Sequence, residues 1–262
     1  MKRLTVVIQA GGESRRMGSP KALVPFLGSP LLCRSLKRLG PIADDLIVTT
    51  NDQASLDFLC SQVTFDKLKM FSDLYPERSA LNGLHTALHY AKGHYVAVVA
   101  CDMVFPSTAL ILAEMEALEK TGADLAVPRT SHGYEPFHAV YRRTSCLPLV
   151  REALEAGERR AGAFFPAAKV IEFSSEDVLR VDPRGGAFVN VNTPEELANV
   201  EGRVRSGEFP ERVPERTGQT AGCQPSAPCL QPQHRQLAAF SRVAASRDDS
   251  RLVVGSCSLC GG

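Results

Sequence analysis

Apolar residues in this chain fall in short runs that alternate with stretches of helical period. Leu4, Val6, Val7 and Ile8 form the first run, which ends in Gly11-Gly12. β-Branched residues packed this closely mark a strand covered on both faces. Residues 46–50 and 95–100 repeat the pattern, the latter without a charge. Residues 125–128, 138–141, 170–173 and 188–192 complete the strands the pattern predicts, with a weaker one within 63–71. Between them, Leu32, Leu36 and Leu39 share a helical face that stops at Gly40-Pro41. Residues 54–60, 110–121 and 147–156, and the stretch bearing Leu84, Leu88 and Ala91, also read as helices. Thr193 stands as an N-cap with Pro194 in the first helical position. Residues 24–28 read as a short turn.

Strands alternating with helices predict an α/β fold of three layers, a mostly parallel sheet with helices on both faces. Ligands of such sheets sit beyond the carboxyl ends of the strands. Gly11, Asn51, Asp73, Asp102 and Asn192 all fall at those ends. The pattern fades near residue 203. Residues 209–233 are rich in Pro, Gly, Gln, Ser and Thr and show no period. The expected organisation is therefore one folded domain, 1–202, and a low-complexity, disordered, Cys-containing tail, 203–262.

Composition narrows the function. Of 262 residues, 44% are hydrophobic and 23% charged, enough for a sizeable core. Lys and Arg number 30 against 29 acids, a net charge of +1, which gives no bulk attraction for nucleic acid. No apolar run is long enough to span a bilayer, and the first residues lead straight into a strand. We expect a cytoplasmic protein with neither a nucleic-acid nor a membrane partner. Cys33, Cys60, Cys101 and Cys146 are scattered through apolar sequence, as reduced core residues would be. Cys223, Cys229, Cys257 and Cys260 crowd the tail, but their first pair is too widely spaced for a zinc knuckle.

The chemistry concentrates in the glycine loop. A strand, a glycine turn and then Arg15, Arg16 and Lys21 make a phosphate site of neither Walker nor dinucleotide spacing. Asp102, after an apolar strand, suits Mg²⁺, which takes one or two protein carboxylates together with substrate phosphates; it also suits a cap on the next turn. Asp73 reads as a turn former or a ligand, and Asn51 as a turn residue or an amide for a base or ribose. Ser14 lacks the GxSxG elbow of a nucleophile. His85, His89, His94, His132 and His138 lack metal spacing and read as surface or satisfied histidines. Basic loop, lone carboxylate and no nucleophile together point to nucleotidyl or phosphoryl transfer.

Over about 200 residues the motifs resemble the molybdenum cofactor guanylyltransferases, members of the sugar-nucleotide type of nucleotidyltransferase. QAGGESRRMG…KAL is similar to that family's LAGGxSRRMGxDKAL, and Cys101-Asp102-Met103 to its metal-binding CDMP. The segment from Asp73 to Gly83 is similar to D-x-Y-P-G-x-G-P-L-x-G, and AGERR and FVNVNTPEEL to two later motifs. The resemblance implies a Rossmann-like fold of GT-A type and Mg²⁺-dependent transfer of GMP from GTP to molybdopterin, releasing pyrophosphate. It implies catalytic roles for Lys21, Arg15 and Asp102, with Asp102 as metal ligand. It implies nucleotide contacts from Gln9, Ala10, Gly11, Gly12, Lys21, Asn51, Asp73, Gly83 and Asp102. Asn190 and Asn192 would face the pterin. Other molybdenum cofactor proteins and molybdoenzyme chaperones are the implied partners. Gln9 stands where the family usually has Leu, Pro20 where it has Asp, and Glu77, Ser79 and Ala80 interrupt the third motif. A cytidylyltransferase acting on molybdopterin, a sugar-1-phosphate nucleotidyltransferase and a non-catalytic cofactor-binding module remain the alternatives.

Overall fold

The first strand, β1 (Leu4–Gln9), lies at the centre of an eight-stranded sheet in the computed structural model. The structure describes residues 3–11, 20–52, 55, 57, 58, 68–183 and 186–209. These belong to the first of two units of the chain, Met1–Ala221; the second, Gly222–Gly262, lies outside the described residues. So do Gly12, Ser14, Arg15, Arg16 and the four tail cysteines on which the sequence reading drew.

Chain order gives β1, a hairpin of β2 (Pro25–Phe26) and β3 (Ser29–Pro30), then α1 (Leu31–Leu39) and β4 (Asp45–Thr49). Then come β5 (Leu68–Phe71), α2 (Ala80–Tyr90), β6 (Tyr95–Ala100), α3 (Thr108–Thr121) and β7 (Leu125–Thr130). β8 (Gly133–Tyr134), β9 (His138–Arg142), α4 (Arg143–Glu155), β10 (Val170–Phe173), α5 (Ser175–Val181) and α6 (Pro194–Arg205) follow. The sheet order is β10-β7-β9-β6-β1-β4-β5, with β8 paired to β7. β6, β1, β4 and β5 run parallel, and β9 runs antiparallel to both its neighbours. The predicted class, a mostly parallel sheet between two helical layers, is the fold observed.

Strand alternation builds both layers. Val6 and Ile8 of β1 pack with Leu32, Leu36 and Leu39 of α1 and with Ile111 and Leu118 of α3. Val7 faces the other way, in a core with Leu81, Leu84 and Leu88 of α2 and Val150 of α4. A third cluster joins Phe26 of the hairpin to Phe105, Val191, Val200, Val204 and Phe209. The hairpin turns at Leu27 and Gly28, with φ of 48° and 78°. Positive φ at both central residues suits the strand twist, but is costly at a leucine. The Leu27 N–H donates to Glu201 on α6 at 2.7 Å, which ties the turn to the last helix.

Several expectations change. Residues 188–192 form no strand, only an antiparallel bridge between Met103 and Asn190. β5 begins at Leu68, and of the helix expected at 54–60 only Ser55, Asp57 and Phe58 are described, all helical. α4 begins four residues before Leu147 and carries Pro148 inside it. Helix α6 runs through residue 203 to Arg205, and Phe209, 9% exposed, stacks on Phe105 at 5.2 Å. The packed chain thus extends past the boundary drawn from composition.

Candidate active site

β1, β4 and β6 end at one level: Gln9 pairs in register with Thr49 on one side and Ala100 on the other. Beyond those ends opens a cleft of about 460 Å³, within the usual range for small-molecule sites. Following the sheet order, its wall runs from Asp102 beyond β6, through Gln9 and Gly11 of the β1 segment, to Thr49 and then Asp73 beyond β5. Gly83 of α2 and the side chain of Lys21 also line it.

Charge gathers at the β6 end. Lys21 Nζ donates to Asp102 Oδ2 at 3.0 Å and to Asn192 Oδ1 at 2.6 Å. The side chains are only 14% (Lys21) and 25% (Asp102) exposed, so the pair is partly withdrawn from water. Lys21 opens a single turn of 3₁₀ helix just before the hairpin. Asn192 arrives by a different route. Val104 N–H donates to Val189 O at 3.0 Å and Val191 N–H to Asp102 O at 3.2 Å, so the segment before α6 lies along the chain leaving β6. Its Asn192 N–H then donates to Glu196 in the first turn of α6, whose N-cap is Thr193, as expected.

The other end is organised by an amide–carboxylate pair. Asn51 Nδ2 donates to Asp73 Oδ2 at 2.7 Å, and Asp73 N–H donates to Asn51 Oδ1 at 2.9 Å. Asp73 lines the cleft, with Asn51 exposed behind it. Asn82, almost fully buried, donates to the carbonyls of Tyr75 and Glu77 and so fixes the loop that carries Arg78 and Ser79 to the rim. Ser79 caps α2 by accepting the Asn82 N–H at 3.0 Å.

The cleft therefore brings together Gln9, Gly11, Lys21, Asp73, Gly83 and Asp102, and Asn192 joins through Lys21. Ala10 is buried behind this wall, and Asn190 is exposed on the segment bridged to Met103. Gly12 and Arg15 lie outside the described residues. Sequence reading passed over Thr49, Arg78 and Phe137, which also line the cleft. Only the position of Thr49 at a strand end offered a signal. Cys101 lines the cleft too, but burial pushes its thiol up to about 12, which leaves no thiolate for nucleophilic chemistry.

The histidines divide. His138, fully buried, accepts the Ser107 N–H at Nε2, 3.0 Å away, and burial lowers its pKa to about 4. His85 is buried with Nδ1 unpartnered, so it is neither a surface nor a satisfied histidine; burial first, then His89 and Arg151, lower its pKa. No cluster of three or more His, Cys, Asp or Glu side chains suited to a metal exists among the described residues. Asp102 Oδ1 accepts no hydrogen bond among those residues and belongs to a cleft-lining side chain. One hard carboxylate oxygen, completed by substrate phosphates, fits a divalent cation of the Mg²⁺ kind better than a site with all its ligands from protein.

Residues 6–170 match the model of the MobA-like NTP transferase domain. A molybdenum cofactor guanylyltransferase from Desulfosudis oleivorans is 32% identical over 208 residues, which cover 79% of this chain and 98% of the relative. A molybdopterin-guanine dinucleotide biosynthesis protein A from Archaeoglobus fulgidus superposes with a TM-score of 0.66 at 24% identity, covering 77% of this chain and 99% of that one. A 4-diphosphocytidyl-2C-methyl-D-erythritol synthase from Anaerococcus prevotii shares the fold at 13% identity, with a TM-score of 0.59 and coverage of 78% and 99%. The family match takes in most of β1 with Lys21, Asp73 and Asp102, the residues around which the cleft is built, and this chain belongs to the MobA-like NTP transferase family.

Proposed function

We propose that this enzyme transfers GMP from GTP to molybdopterin, forming the guanine dinucleotide cofactor and releasing pyrophosphate. The observation that carries the reading is the Lys21–Asp102–Asn192 cluster at the charged end of the cleft, in a chain similar to molybdenum cofactor guanylyltransferases along most of its folded length. An oxygen of the acceptor's terminal phosphate bonds to the α-phosphorus of GTP while the α–β anhydride bond breaks. Pyrophosphate leaves with that bond's electron pair. Lys21, held by two oxygen acceptors, offers its ammonium as a fixed point charge to the phosphates. Gly11, without a side chain, lets the backbone approach them closely. Asp102, with the substrate phosphates, would hold Mg²⁺, which would supply positive charge against that developing on the phosphates. Asp73, positioned by Asn51, supplies a carboxylate for the N–H groups of guanine.

No helix among the described residues is long and apolar enough to cross a membrane. The buried thiols of Cys101 and Cys146, in no disulfide, support a cytoplasmic setting. The test is pyrophosphate release by the full chain with Mg²⁺, molybdopterin and each of GTP, CTP and ATP in turn. Release with GTP alone that depends on molybdopterin is expected. Equal release with CTP, or release that a sugar 1-phosphate supports equally well, refutes the assignment.

A further inference from the structure

Phe137 has no task in the phosphate chemistry, yet it is the one aromatic among the described residues that line the cleft. Its neighbour in the chain fixes where it points. His138, the first residue of β9, is fully buried and accepts the Ser107 N–H at the start of α3. Successive side chains of a strand alternate between the two faces of the sheet. Phe137 accordingly falls on the other face, packed against the core that α2 and α4 share. Its carbonyl accepts the Ala100 N–H at 2.9 Å, which ties it to the last residue of β6, two positions before Asp102.

The sheet order places β9 on one flank of β6, and β1, β4 and β5 on the other. In the proposed reaction the nucleotide takes the second flank, with its base at Asp73 and its phosphates at Lys21 and Asp102. An in-line displacement sets the attacking and departing oxygens on opposite sides of the phosphorus. The acceptor therefore needs a stretch of wall of its own, and the β9 flank is the stretch the nucleotide leaves. Phe137 offers there a half-buried ring with neither charge nor hydrogen bond. Ala80 and Ala100, which line the same cleft, carry only methyl groups and leave room for a flat molecule beside it. Such a wall selects a planar ring system, which gains by stacking on an aromatic side chain.

We propose that Phe137 determines acceptor specificity by stacking on the pterin ring of molybdopterin, whose phosphate then reaches the α-phosphorus beside Lys21 and Asp102. The inference rests on molybdopterin being the acceptor and adds a contact at the end of that substrate remote from the reacting phosphate. Removing an aromatic that stacks on a heterocycle lowers affinity about tenfold. The contact belongs to the acceptor alone, so GTP binding should not depend on it.

The experiment follows pyrophosphate release by the full chain at saturating GTP over a range of molybdopterin, and equilibrium binding of GTP without molybdopterin. It compares the unaltered protein with Phe137→Ala, Phe137→Leu and Phe137→Tyr, and thermal unfolding of each checks the packing against α2 and α4. Phe137→Leu keeps apolar bulk and loses the ring, so it gives an answer even where Phe137→Ala fails to fold. Both should raise the KM for molybdopterin about tenfold, with GTP affinity unchanged, and Phe137→Tyr should keep the KM of the unaltered protein. An unchanged KM in Phe137→Leu overturns the proposal, because apolar bulk then suffices. Equal losses of GTP and molybdopterin affinity also overturn it, and would assign Phe137 to the nucleotide or to the fold. If a sugar 1-phosphate supports release as well as molybdopterin does, the guanylyl reading itself fails; if molybdopterin is required and its KM ignores Phe137, only this inference does.

Discussion

Asp102→Asn separates the two tasks that the geometry gives this carboxylate: tethering Lys21 and holding a divalent cation. At an N···O distance of 3.0 Å the ion pair sets an unscreened attraction of about 5 kcal/mol at an effective dielectric near 20. With Asp102 one-quarter exposed, solvent and salt reduce its net worth to about 1–2 kcal/mol. Asn retains an oxygen that can still accept from Lys21, so the loss in stability should stay within that figure, out of the roughly 5–15 kcal/mol typical of a domain. Turnover should suffer far more. Losing a cation's charge stabilisation costs several kcal/mol, a fall in pyrophosphate release of about 10² or greater. Urea unfolding measures the first quantity, and pyrophosphate release over a Mg²⁺ titration measures the second. Asp102→Asn should shift the Mg²⁺ dependence to higher concentration. Lys21→Ala should weaken GTP binding and leave that dependence in place. A slow Asp102→Asn variant with an unaltered Mg²⁺ titration would refute the cation assignment and leave Asp102 as a tether.

Glu114 is fully buried in α3 between Ile111 and Leu118, with neither carboxyl oxygen partnered, and burial pushes its pKa well up. Glu114→Met should stabilise the fold by about 1–3 kcal/mol at pH 7 in urea unfolding, with a gain that grows as pH rises above the ordinary glutamate range; a destabilised variant would reveal a missing partner. His138 has its pKa lowered to about 4 in the folded protein, so below about 6.5 the unfolded chain takes up a proton that the native state refuses, and stability falls with pH across that window. Between pH 6.5 and pH 5 the unaltered protein should lose about 2 kcal/mol more than His138→Gln, and equal losses would count against burial as the cause. Ending the chain after Arg203 removes Val204 and Phe209 from the cluster around Phe105, and should cost about 2–5 kcal/mol relative to ending it after Phe209; equal melting of the two truncations would show that this cluster contributes little.

Much of the sheet was legible because its signal is local. β1, β4 and β6 are covered on both faces, so their residues must be apolar almost without interruption, and the runs at 4–8, 46–50 and 95–100 state this directly. Helix α1 was legible for the same reason, with Leu32, Leu36 and Leu39 all fully buried. The apolar alternation of 188–192 misled because Val189 and Val191 pack on the hairpin cluster and not across a ladder. Burial asked for the same residue types without asking for a strand. The helix expected at 147–156 begins earlier, at Arg143, and carries Pro148 inside it.

The site was legible as a set of residues and illegible as a set of contacts. Lys21 and Asn192 are 171 positions apart, and nothing local to FVNVNTPEEL says that its second Asn accepts from that lysine. The contact requires Phe26, Val191 and Val200 to bury one another, which draws the segment before α6 under the hairpin and delivers Asn192 to the ammonium. Asn192 is thereby placed within hydrogen-bonding distance of the Lys21 ammonium. Asn51 and Asp73 pair for a similar reason, since parallel β4 and β5 end side by side and the residues two positions beyond each end meet. Gln9 was the least legible of all. In sequence it is a polar residue closing a strand. That its amide needs Gly83 beneath it becomes apparent only when β1 and α2 are packed together. A glycine in mid-helix costs about 1 kcal/mol relative to alanine, and here that cost leaves room for a side chain from another element at the wall of the cleft.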